Sequence, residues 1–191
     1  MNTKETVDLY LSKLEANGVS KESCNLLSDR YGAALMIASY ATSNQTDLSG
    51  DGTLLEVSLK KLAKYGVLIN NLYPEDLRLS TKQVVKILLL QHISKAVRLE
   101  KNSNEWRAKN LGEAYCFIKN MPAIGIGLHS LAISVECGIQ FTATEVEAMT
   151  IIDKADDDLQ AKFHSSMLSS IVKQANEMVY TEANKKAKLI V

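Results

Sequence analysis

Apolar residues recur every three or four positions along most of this chain, so the pattern predicts a mainly helical protein. Val7, Tyr10, Leu11 and Leu14 mark a first helix, which Asn17-Gly18 ends. Ser20 is placed to cap a second helix whose apolar face includes Leu26, Leu27, Tyr31, Leu35 and Ile37. The polar, glycine-containing stretch from Thr42 to Gly52 interrupts it. A third helix is expected from near Asp51 through Leu54, Leu55, Leu59, Leu62 and Leu68 to about Asn71, and Tyr73-Pro74-Glu75-Asp76 reads as a connector. Ser80 and Gln83 have capping-box spacing. The run behind them (Val84, Val85, Ile87, Leu88, Leu89, Leu90, Ile93) is apolar on most sides, which predicts a central helix surrounded by others.

The pattern changes at Val97-Arg98-Leu99-Glu100-Lys101 and Glu105-Trp106-Arg107-Ala108, which alternate in character across Asn102-Ser103-Asn104. A short β-hairpin over about 97–108 is the expectation. Helices follow at roughly 111–120, 127–137 and 144–153, the last opened by Thr144 with Glu147 three residues on. From about Asp158 to Lys186, Leu159, Phe163, Met167, Ile171, Ala175 and Met178 or Val179 keep helical spacing and predict one long amphipathic helix. No internal repeat or interdomain linker interrupts the chain.

Composition narrows the classes. The 191 residues suit a single domain, 1–191, long enough to bury a sizeable core without a staple. Lys+Arg and Asp+Glu are 22 each, so no global field favours nucleic acid or acidic membranes, and neutrality suits a subunit of a larger assembly. Cys24, Cys116 and Cys137 are odd in number and scattered, which predicts reduced thiols rather than a disulfide frame. The residues after Met1 form no signal peptide and no apolar run is long enough to span a bilayer, so a location in a virion or a host cytoplasm is expected rather than secretion.

Three segments, in order, carry a family resemblance. Gly50-Asp51-Gly52-Thr53-Leu54-Leu55-Glu56-Val57-Ser58-Leu59 resembles the Gly-Gly-x-x-Leu-Glu-His-Ser helix of bacterial and phage HD-type metal-dependent phosphohydrolases. Leu89-Leu90-Gln91-His92-Ile93-Ser94-Lys95 resembles their Leu-Leu-His-Asp-x-x-Lys helix. Beyond the hairpin, Pro122 to Ser130 and Phe141-Thr142-Ala143-Thr144-Glu145-Val146-Glu147-Ala148-Met149 resemble their Gly-His-Gly segment and the helix after it. The resemblance implies an HD-like core over about 50–153, preceded by a helical pair at 4–42 and followed by the long helix at 158–186.

Hydrolysis by that family needs imidazoles and carboxylates converging on metal ions that activate water and neutralise phosphate. At the positions the resemblance assigns to those ligands, this chain has Val57, Gln91, His92, Ile126 and Ile152. The metal site is therefore expected to be gone, with no catalytic residue, no metal and no cofactor, and hydrocarbon is expected to fill the space. His92, His129, Asp153 and Asp156 are the only raw material for a rebuilt site. Lys95 matches the family lysine that faces phosphate. Lys95 and Arg98 are the candidate anion contacts, although Lys95 is otherwise expected to pair with a carboxylate or lie in solvent.

Three functions follow in order. The first is a non-catalytic interaction subunit of a multi-copy assembly, of virion connector or ring type by analogy with phage-encoded family members. Its partners are other protein subunits, with no membrane and no expected nucleic acid. Trp106, Lys185 and Lys186 are the candidate interface residues, since aromatic anchors concentrate at interfaces. The second is a pseudo-hydrolase that binds or sequesters a nucleotide. The third, an active phosphohydrolase with a rebuilt site, requires bound metal.

Overall fold

The computed structural model describes residues 3–44, 46–121, 123–153 and 165–189. The architecture is mainly helical, with one two-stranded antiparallel hairpin and a long C-terminal helix. Helices α1 (Thr3–Ala16) and α2 (Lys21–Ile37) pack on each other as a pair. Ser20 caps α2, its hydroxyl accepting from the Ser23 amide at 3.1 Å. After the loop come α3 (Thr53–Val57), a π-helical turn at Ser58–Leu62 and α4 (Ala63–Leu72), which run on as the single helix expected from the apolar spacing. Such π turns are rare and concentrate at functional sites. This one falls directly after Val57.

Helix α5 (Thr81–Leu90) is central, with Val84, Val85 and Ile87 to Leu90 all buried. The Ser80 side chain makes no capping bond, contrary to the Ser80–Gln83 spacing. The chain then forms α6 (Lys95–Arg98), β1 (Leu99–Lys101), α7 (Glu105–Asn110) and β2 (Tyr115–Phe117). The hairpin thus exists, but its second strand is not at 105–108. Asn104 accepts from the Arg107 amide and caps a helix there, and Leu99 pairs instead with Phe117 and Lys101 with Tyr115. No helix occupies 111–120, because Gly112 and Asn120 adopt left-handed φ of 69° and 65° on either side of β2.

Helices α8 (Ile126–Glu136) and α9 (Ala143–Thr150), with a 3₁₀ turn at Ile151–Asp153, match the remaining expectations to within a residue or two. The capping box at α9 is built from Thr142 and Glu145, since Thr142 is the last extended residue and Thr144 already lies inside the helix. Gly138, at φ 79°, ends α8 in a left-handed turn in which the Ile139 amide returns to the Ser134 carbonyl at 3.0 Å. Helix α10 (Met167–Leu189) lies across α4, α5 and α9 and buries Leu168, Ile171, Val172, Ala175, Val179 and Ala183. The start expected for it near Asp158 falls outside the described residues, as do Asp156 and His164. Among the described residues no helix is long and apolar enough to cross a membrane. All three cysteines are reduced, with Cys24 and Cys137 buried and Cys116 half-buried.

Candidate functional site

A cavity of about 540 Å³ opens between the segment that follows α5, the 3₁₀ turn and α10. His92 lines it from the turn after α5 and Lys95 from the start of α6, Ile126, Ile152 and Asp153 from the α8–α9 side, and Asn176 and Tyr180 from α10. Three of the five expected ligand positions, His92, Ile126 and Ile152, therefore line the same cavity. Val57 and Gln91 do not line it: Val57 is packed into the hydrophobic core, and Gln91 is fully buried behind. The expectation that hydrocarbon has filled this space is overturned. The isoleucines cover one side only, and polar groups of α10, including Glu177 and Asn184, furnish the other. The volume falls within the usual range for small-molecule sites.

The polar groups are held by a network that closes around Asn176. Its Nδ2 donates to the Val172 carbonyl at 2.8 Å and to Gln91 Oε1 at 3.0 Å. A carbonyl can only accept, so the amide orientation is fixed and Oδ1 faces His92 Nε2 at 2.8 Å. His92 must then carry its proton on Nε2 and keep a bare lone pair on Nδ1. That Nδ1 has no partner among the described residues, and neither does Gln91 Nε2. Tyr40 Oη sits 3.2 Å from both Asn176 Oδ1 and His92 Nε2 and donates to the former. Burial, and then the nearby Lys95 charge, hold His92 well below its ordinary pKa, so it stays neutral.

Lys95 is buried, and among the described residues no carboxylate pairs with it. It is 5% exposed, its Nζ donates to the Tyr40 carbonyl at 2.8 Å, and it lies 3.9 Å from the centre of the Tyr40 ring. The carbonyl and the ring face favour the ammonium, but loss of hydration outweighs them and pushes the pKa down to about 7. Arg98 does not join Lys95 at the cavity. Its guanidinium donates to the Ile124 and Gly125 carbonyls and lies over Phe117, so it fastens the hairpin to the segment before α8.

The other candidates have structural duties. Asp153 caps α8 across a gap of 25 residues and more, accepting from the Gly127 amide at 2.9 Å and the Leu128 amide at 2.8 Å. The N-cap of α8 is Gly125, which has no side chain to do this itself. Gly125 and Gly127 allow the approach: a Cβ at 125 would stand 2.1 Å from the Asp153 carboxyl carbon. His129 is half-buried on the following turn, its pKa lowered by burial and then by Arg98. Among the described residues no three His, Cys, Asp or Glu side chains gather closely enough to hold a metal ion.

Trp106 is 63% exposed on α7, and Leu111 and Phe117 are exposed on the same hairpin excursion. It does not fold that excursion onto the body. Lys185 is exposed near the end of α10, and the Lys186 side chain lies outside the described residues. Asn176, Tyr40 and Tyr180 were not singled out by sequence. Asn176 had a readable signal, a polar side chain one helical turn from both Val172 and Val179 in the apolar stripe of α10. Tyr40 had none, because it lies in the loop just after α2. No protein-family model, no curated protein and no solved structure matches this chain.

Proposed function

We propose that this chain is a non-catalytic binding domain, an HD-like helical bundle that has lost its metal ligands and retains the space they bordered for a small molecule. One observation carries the reading. His92, Ile126 and Ile152, which the resemblance places at ligand positions, come from three separate segments yet line a single open cavity with Lys95. A cavity of that size with a buried amine, a neutral imidazole and amide groups on one side and hydrocarbon on the other suits a small molecule of mixed polarity. Among the described residues no three His, Cys, Asp or Glu side chains gather there to hold a metal ion, and the role assigned is binding rather than turnover.

Nucleotides are the first class to test, since the resemblance points to them. A thermal-shift panel of nucleotides and common metabolites should contain a ligand that raises Tm with concentration. Occupancy at a hundred times Kd stabilises by about 2.7 kcal/mol, or roughly 5–10 °C for a chain of this size. Ile126→Trp, which fills the cavity from its wall, should fold and lose that response. A silent panel would count against a retained site. Stoichiometric manganese, iron or zinc together with phosphate release would overturn the non-catalytic reading.

A second reading rests on a different observation. Trp106, Leu111 and Phe117 are exposed on the hairpin excursion, and large apolar groups outside the core mark docking surfaces. This favours a subunit of a multi-copy assembly, the virion connector or ring component of the sequence expectation. Native mass measurement tests it: a monodisperse monomer that Trp106→Ser leaves unchanged would rule it out.

A further inference from the structure

We infer that Lys95 is a carbonyl-reactive lysine and that the cavity holds a small aliphatic aldehyde as an imine on its Nζ. The inference rests on the cavity being a binding site and adds the chemical class of what enters it.

Lys95 lines the cavity while being almost wholly buried. Its polar partner among the described residues is the Tyr40 carbonyl; Asp153 and Glu177 line the same cavity, but neither forms an ion pair with it. An ammonium with one acceptor leaves two N–H groups without hydrogen bonds, whereas the neutral amine leaves one and exposes a lone pair. The surroundings therefore fit the amine, in keeping with its pKa of about 7. A desolvated lysine in its amine form is a nucleophile toward aldehydes and ketones. In the same cavity Ile126, Ile151 and Ile152 offer hydrocarbon that suits an alkyl chain, alongside the charged Asp153, Lys173 and Glu177.

The chemistry balances without a redox partner. The Nζ lone pair forms the N–C bond as the carbonyl π pair moves to oxygen. One nitrogen proton then passes to that oxygen, giving a carbinolamine. Loss of the second nitrogen proton and of hydroxide releases one water and leaves a C=N bond.

The test is reductive trapping of the native protein with butanal and cyanoborohydride at pH 7, followed by peptide mapping. An ordinary lysine at pH 7 has on the order of a thousandfold less amine form than one with a pKa near 7. Lys95 should therefore acquire a single butyl group at an initial rate roughly tenfold or more above any other lysine. Selectivity should vanish in urea, and Lys95→Arg should remove the fast site. Should Lys95→Arg fail to fold, the comparison of native with urea-unfolded wild type still decides. Uptake at exposed lysines as fast as at Lys95 overturns the inference. If a panel ligand stabilises the protein but Lys95 resists trapping, the imine is wrong and the binding reading stands. If nothing stabilises the protein and Lys95 resists, both fall.

Discussion

Replacing Gly127 by alanine probes how closely α8 is drawn against the rest of the bundle. An added Cβ would stand 2.1 Å from the Met149 carbonyl oxygen and 3.0 Å from both Asp153 Oδ2 and Ile152 Cγ1. The first clash is with backbone, so no rotamer change relieves it, and the start of α8 must retreat. Overpacking of this kind costs about 1–3 kcal/mol. Retreat also stretches the bonds from the Gly127 and Leu128 amides to Asp153, and bonds to a charged acceptor are worth about 1.5–3 kcal/mol each. Working the other way, alanine is favoured over glycine in a helix by about 1 kcal/mol. The net expectation is a loss of about 2–4 kcal/mol, or roughly 5–15 °C in Tm. Urea titration with linear extrapolation, alongside calorimetry, measures it. Gly32→Ala is the internal control. A Cβ there would sit at an ordinary 3.5 Å from Ser28 Oγ in the middle of α2, so it should gain up to about 1 kcal/mol. If the two variants shift stability in the same direction, the close approach of α8 to α9 is not what holds that wall of the cavity.

Three further outcomes follow from the same geometry. Asn176→Ala strands Gln91 Oε1 in the core and leaves the His92 Nε2 proton only the Tyr40 hydroxyl at 3.2 Å, which should cost about 1–3 kcal/mol by denaturant titration, and a cost well under about 1 kcal/mol would mean water reaches Gln91. Lys95 in the folded chain holds its proton only below about pH 7, while the ordinary value is 10.5. Between those limits the unfolded chain binds more protons, so wild-type stability should rise with pH across that window, and the penalty of the buried ammonium is full below it. Lys95→Met should flatten the rise and be the more stable protein at pH 6; parallel stability profiles for the two proteins would refute this. Glu145 is buried, pairs with Lys86 at 2.6 Å and accepts from the Thr142 amide at 2.8 Å. Glu145→Ala should therefore cost about 2–4 kcal/mol, whereas Glu145→Gln, which keeps an acceptor for the cap, should cost less.

The helices read well from sequence wherever periodicity and local capping agree. Val84 to Leu90 declared a central helix by being apolar all round, and Ser20 declared the start of α2. The second strand was misplaced because the alternation at 105–108 is weak and Asn104 is a strong helix cap, which won locally. Strand β2 could then pair with β1 only from beyond the intervening helix. The site was half legible. Resemblance pointed to the positions of His92, Ile126 and Ile152, but not to Asn176, which lies 84 residues from His92 and meets it only when α10 crosses α5.

Residue order alone decides most of the helical content here, because helix formation depends on contacts within a few residues: apolar spacing, caps and breakers act over one or two turns. It also decides that the residues at 57, 126 and 152 are hydrocarbon. What surrounds each side chain is a matter of which helices meet, and no local pattern encodes that. Lys95 reads as a solvated or paired lysine until α2 and the following loop enclose it, with the Tyr40 carbonyl as its acceptor among the described residues. Ile126 and Ile152 read as filling a core until α10 stands off from them and leaves a cavity. Burial sets the dielectric, the proton affinity and the space available for a ligand, so the chemistry of this site belongs to the tertiary structure.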